Sequence, residues 1–110
     1  MFIHIKKNSD FQRVYKNGKS LANRYLVMYV MNNNSNENRV GISVSKKVGN
    51  SVTRHRITRL IRESFRLNDN LFENGYDIVI IARVSAKGKS FEEICSAIIH
   101  LGKIHNIVSD

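Results

Sequence analysis

The 110-residue sequence contains no proline and a single cysteine, Cys95. Without proline, no strand or helix is interrupted by a missing backbone donor. One cysteine excludes an internal disulfide and suits a reducing compartment, so a cytoplasmic location is expected. Its place in an apolar helical pattern makes Cys95 a core residue rather than a nucleophile. No run approaches the ~18 apolar residues of a membrane-spanning helix, and the opening MFIHIKK is too short and too soon charged for a signal peptide. A membrane partner is therefore not expected. There is no internal repeat and no low-complexity linker. Acids are scarce as well: nine Asp plus Glu stand against eighteen Lys plus Arg, a formal charge of +9. On a chain whose length suits one domain over residues 1–110, that excess is the footprint of a polyanion partner.

The scarcity of acids also bears on chemistry. Metal-dependent phosphodiester cleavage needs clustered carboxylates. Here the acids, from Asp10 to Asp110, are scattered, and only Glu92 and Glu93 are adjacent. Neighbours on a helix point in different directions. Glu63, four residues after Arg59, reads as its ion-pair partner. The four histidines show no zinc spacing with the lone cysteine. No self-sufficient catalytic site and no metal site emerge.

What the chain does contain is a basic helix. Residues 45–66 read SKKVGNSVTRHRITRLIRESFR. Ile57, Leu60, Ile61 and Phe65 follow the spacing of an amphipathic helix. At about 100° per residue, His55, Arg59, Arg62 and Arg66 gather on the opposite side. Helix N-termini favour acids in the first turn, yet Arg54, His55 and Arg56 lie there and no acid precedes Glu63. Such a local conflict marks a functional site, and arginines beside free backbone N–H groups suit phosphate.

Around this helix the chain alternates. Ser9 opens a short helix with Gln12 at the capping-box position and Gly18 as its stop. Phe11 and Tyr15 share one side of it, available to the core or to unstacked bases. Residues 25–31 form a strand, with Leu26, Met28 and Val30 on one face and Tyr25, Val27, Tyr29 and Met31 on the other. The polar loop 32–38 leads to a second strand, 39–45, and suits an antiparallel hairpin of the two. Residues 76–83 hold a near-continuous apolar run that predicts a central strand covered on both faces. Strand, basic helix and strand then make a βαβ unit. A last helix spans 90–104, capped by Ser90, with Glu92 and Glu93 in its first turn. The expected fold is α+β: a single-domain sandwich of a small sheet and about three helices.

The run SKKVGNSVTRHRITRLIRE resembles the signature of the bacterial ribonuclease P protein subunit: Ser-Lys-Lys-x-Gly-Asn-Ala-Val, then Arg-Asn-Arg, then Lys-Arg and Arg-Glu. Phe11 with Val14 and Tyr15, Gly18-Lys19-Ser20, the 26–29 strand, residues 39–44, and Asp77-Ile78-Val79 through Ala82-Arg83 also fall in that family's order. The resemblance implies a fold like the second domain of ribosomal protein S5, with a left-handed βαβ crossover. It implies a protein subunit that binds a catalytic RNA, in a 1:1 complex, and the single-stranded 5′ leader of precursor tRNA, assisting removal of that leader. The chemistry would belong to the RNA and to Mg2+ held mainly by it, with none bound by the protein alone. Carried over, the catalytic-RNA face comprises Lys46, Lys47, Asn50, Arg54, Arg56, Arg59 and Arg62, to which the basic stripe adds His55 and Arg66. The leader cleft comprises Phe11, Tyr15, Val27 and Tyr29. This chain departs from the pattern at Ser51, His55 and Thr58, where the family usually has Ala, Asn and Lys. Ser51 is available to the helix cap, and His55, on the basic stripe, is expected to contact RNA.

A ribosomal protein would share the charge and fold class, and the extended match separates the two. A DNA reader is disfavoured because the helix lacks the asparagine and glutamine that often read base edges, and because it packs on a sheet. A stand-alone nuclease is disfavoured by the scattered acids.

Overall fold

The computed structural model describes residues 2–109; Met1 lies outside them, as does Asp110, one of the nine acids. In chain order the elements are β1 (Ile3–His4), α1 (Asn8–Asn17), β2 (Lys19–Ala22), β3 (Leu26–Asn32), β4 (Arg39–Ser43), α2 (Ser51–Asn68), β5 (Tyr76–Ala82) and α3 (Phe91–Ile104). Short 3-10 turns at Asp69–Leu71 and Val84–Ala86 join the later ones. The fold is an α+β sandwich, as expected from the sequence.

The five strands form one mixed sheet in the order β1-β4-β5-β3-β2. β5 is central, parallel to β4 and antiparallel to β3. Ile78, Val79 and Ile80 are all wholly buried, so this strand must be covered on both faces and both edges. That requirement overturns the expected β3–β4 hairpin, because β5 sits between them. β3 instead makes its hairpin with the preceding β2. Asn23 builds the turn, its Oδ1 accepting from the N–H groups of Tyr25 and Leu26. The basic helix α2 crosses from β4 to its parallel neighbour β5, completing the anticipated βαβ unit.

Two clusters hold the layers together. On one face Ile57, Ile61 and Phe65 of α2 join Ile94, Ile98 and Leu101 of α3 and Leu26, Met28, Ile78 and Ile80 of the sheet. Each such side chain contributes about 1.5–3 kcal/mol of burial. On the opposite face the cluster is small: Ile5, Val14 and Val79, with half-buried Phe11, Tyr15, Tyr29, Met31 and Ile81. Among the described residues, only α1 contributes a helix to that second cluster.

The helix ends differ. Ser90 caps α3 in a full capping box with Glu93. Asn50, rather than Ser51, caps α2, its side chain accepting from the N–H of Thr53 at 2.9 Å. The capping box expected from Ser9 and Gln12 does not form. α1 begins one residue earlier, at Asn8, behind Lys7, which offers no side-chain cap; the first turn closes on the Lys7 carbonyl, which accepts from Asp10 and Phe11. Cys95 lies half-buried at the core's rim, accepting from Asn68 Nδ2 at 3.2 Å.

Candidate nucleic-acid interface

α2 buries Ile57, Ile61, Ser64 and Phe65 and turns its cations outward. His55, Arg56, Arg59, Arg62 and Arg66 are exposed, Arg54 is half-buried, and Lys46, Lys47 and Asn50 are exposed in the preceding turn. No acid lies in the first turn, so the positive N-terminal dipole and the arginines add in one direction. Arg56, Arg59 and Arg62 line a shallow groove with Leu60 and Glu63. The sequence pairing of Glu63 with Arg59 does not occur. Glu63 takes two hydrogen bonds from Arg66, Nε at 3.0 Å and a closer one from Nη2, because that guanidinium lies beside it one turn on. Among the described residues, Arg59 and Arg62 then have no acidic partner. Arg56 donates to the Lys89 carbonyl at 3.0 Å, tying α2 to the loop after β5. Thr58 is occupied within the helix, donating to the Arg54 carbonyl. Asn50 spends its side-chain oxygen on the cap.

The second surface lies on the other face of the sheet, and its geometry follows from register. Three rows of residues cross β4, β5 and β3 there: Arg39–Asp77–Met31, Gly41–Val79–Tyr29, and Ser43–Ile81–Val27. Adjacent rows are two residues apart, roughly 7 Å along the strands. α1 lies against this floor. Its Phe11 ring sits over Gly41, and Tyr15 packs edge-on to Tyr29 with centroids 5.1 Å apart. Phe11 and Tyr15 are themselves 6.3 Å apart. Beside them a crevice of about 440 Å³ is lined by Lys6, Phe11, Gln12, Tyr15 and Ser43. The third row is half-exposed throughout. Thus Phe11, Tyr15, Val27 and Tyr29 share one open, aromatic-walled face, separated by the sheet's thickness from the outer side of α2.

Burial pushes the Tyr15 phenol above its usual 10.0, with the Ser43 hydroxyl opposing and Tyr29 adding; like any phenol, it is uncharged near neutral pH. On β1, His4 is held below the ordinary imidazole value by partial burial, then by Arg62 and Lys6. Phe2, just ahead of β1, packs edge-on to Phe65 of α2 with ring centroids 5.8 Å apart, so the N-terminal strand lies beside that helix.

The first row's chemistry has no counterpart in the local sequence pattern beyond a charged residue inside an otherwise apolar strand. Asp77 is wholly buried and pairs with two arginines, Arg13 at 3.3 Å and Arg39 at 3.4 Å. Asp10 binds the same two guanidinium groups at 3.1 and 3.0 Å. Asn33 adds a hydrogen bond to Asp77 at 3.0 Å. Two of the supposedly scattered acids thus converge, on arginines rather than on a metal.

The family model described as Ribonuclease P matches residues 2–105. The chain is 63% identical over 105 residues to the ribonuclease P protein component of Lachnoclostridium phytofermentans, covering 96% of this chain and 90% of that one. It is 57% identical over 100 residues to that of Clostridioides difficile, covering 90% and 88%. Among solved structures, the Staphylococcus aureus RNase P protein superposes with a TM-score of 0.89 at 44% identity, covering 99% of this chain and 100% of that one. The Thermotoga maritima RNase P protein gives 0.84 at 32% identity, covering 92% and 96%.

Proposed function

The chain belongs to the ribonuclease P protein family, and from that membership we propose that its two faces serve two different RNAs. As a ribonuclease P protein component it acts in tRNA 5′ maturation beside an RNA subunit. In our reading it is the noncatalytic partner, present once per catalytic RNA in the cytoplasm. Mg2+ held mainly by that RNA supplies the chemistry, and the protein supplies binding and position.

The single observation that carries the division of labour is the placement of the two residue sets on opposite faces of one sheet. The outer side of α2 presents Arg54, His55, Arg59, Arg62 and Arg66, with Lys46, Lys47 and the helix N-terminus. Guanidinium groups pair with phosphate in a bidentate manner, so this face suits the folded catalytic RNA. Arg56 joins it with its remaining donors. The cleft under α1 offers half-buried rings and an apolar floor instead. Bases of an extended strand can stack there without sequence readout, which suits a 5′ leader. The Tyr15 phenol, being neutral, does not repel the strand's phosphates.

Photocrosslinking tests this division. A precursor tRNA with 4-thiouridine in its leader, irradiated on the reconstituted particle, should label the Phe11–Tyr15–Tyr29 cleft and leave α2 unlabelled. Labelling of α2 by the leader would overturn the assignment.

A further inference from the structure

We infer that Asp77 is a positioning residue for the cleft: through Arg13 and Arg39 it fixes α1 on the sheet and so sets where the Phe11 and Tyr15 rings stand. The inference rests on the reading of that cleft as the leader-binding surface.

Apart from the ring contacts themselves, α1 has little to orient it. It is ten residues long, has no side-chain N-cap, and buries only Val14. A helix this short depends on tertiary contacts for its existence. Val14 holds it near the sheet, and the half-buried Phe11 and Tyr15 rings brace one flank only. On the helix, Asp10 and Arg13 project to one side of Val14, and Phe11 and Tyr15 to the other. The charged side meets Asp77 and Arg39 in the first cross-sheet row; the aromatic side overhangs the second. Rolling α1 would therefore break ion pairs on one flank and move the rings on the other. The two carboxylates and two guanidinium groups close a ring of four contacts between 3.0 and 3.4 Å. Asp77 is its fixed point. It belongs to the central strand, it is wholly buried, and Asn33 holds it from a third direction. The arginines keep part of their surface in water, at 47% and 29% side-chain exposure. The ring is thus anchored at the sheet and adjustable at the helix.

Asp77→Asn is the discriminating change. Its amide keeps an oxygen able to accept from Asn33, but turns a donor toward the Arg13 guanidinium, also a donor. Arg13→Gln is the second variant, milder for folding because that side chain keeps nearly half its surface in water. Both would be tested in the reconstituted holoenzyme, on precursors with a leader of several nucleotides and with a single-nucleotide leader, alongside binding to the catalytic RNA alone. The wild type should prefer the long leader. Both variants should lose about 10-fold of that preference, the scale of one misplaced stacking contact. The loss should fall in KM, with kcat and catalytic-RNA affinity unchanged. In a background lacking both rings, Phe11→Ala with Tyr15→Ala, Asp77→Asn should add nothing further.

The outcomes separate. A wild type with no leader preference removes the cleft reading itself. A preference that survives in both variants overturns the positioning role alone. A loss that strikes catalytic-RNA binding and both substrates alike also overturns it, since that is the mark of a damaged fold. Should Asp77→Asn not fold, Arg13→Gln decides.

Discussion

The Phe11 ring lies against Gly41 so closely that a Cβ on the glycine would stand 2.8 Å from two ring carbons and 3.1 Å from Ile5 Cβ. The glycine is needed for this approach of helix to sheet. Gly41→Ala should destabilise the protein by about 1–3 kcal/mol, the usual range for overpacking, and should weaken leader-dependent binding as the ring is displaced. Chemical denaturation checks the first effect. The affinity ratio of long- to short-leader precursors checks the second; an unchanged ratio would show that the ring position is immaterial.

The α2 arginines differ in what they can give to RNA. Arg59 and Arg62 have no acidic partner among the described residues, whereas Arg66 is held by Glu63. Replacing Arg59 or Arg62 with Gln should lower catalytic-RNA affinity and reduce the salt slope by roughly 0.7–0.9 for each phosphate that is no longer neutralised. Arg66→Gln should do less. Equal effects at all three positions would mean that the Glu63 pair opens on binding. His55, exposed on the same stripe, should make RNA affinity sensitive to His55→Asn between about pH 5.5 and 8.

At the start of α2 the cap belongs to Asn50. Asn50→Ala should lower stability by about 1 kcal/mol, as cap removal does elsewhere, while Ser51→Ala should be nearly silent. Thermal denaturation of the two variants distinguishes them directly.

His105 gives the fold a pH dependence of definite sign. Burial lowers its pKa from 6.5, against the opposing hydrogen bond from Nε2 to the Met28 carbonyl at 2.9 Å, with Lys19 adding to the lowering. A lowered imidazole pKa means that the unfolded chain binds the proton more readily than the native one. Stability from this group is therefore complete above 6.5 and is lost as pH falls through the lower native value. His4 acts in the same direction. The urea midpoint should fall on acidification below 6.5, and His105→Gln should flatten that fall.

Much of this was legible in the chain. The spacing of Ile57, Ile61 and Phe65 is the core face of α2, and the run from Ile78 to Ala82 is the central strand. Ser90 with Glu93 forms the cap that their spacing suggests. What escaped reading is long-range. The loop between β3 and β4 suits a hairpin, and nothing local says that β5, more than thirty residues on, enters between them. β1 and β2 are short edge strands with mostly exposed side chains, so they lack the apolar alternation that marks a strand. Asp77 pairs with Arg13 across 64 positions, a distance at which two opposite charges have no sequence signature. The Asn-rich loop reads as polar filler, yet Asn33 and Asn38 bond to Asp77, Glu73 and Tyr76 and hold the sheet's end in place.

We propose that this protein binds and positions RNA while another molecule performs the cleavage. The direct test is cleavage of a precursor tRNA at low Mg2+ by a cognate catalytic RNA, with and without the protein, and by the protein alone. Strong stimulation when protein joins RNA, and no cleavage by protein alone, is the expected result. Cleavage by the protein alone would contradict it by revealing an active site among these residues, and no stimulation would contradict it by removing the protein from the reaction.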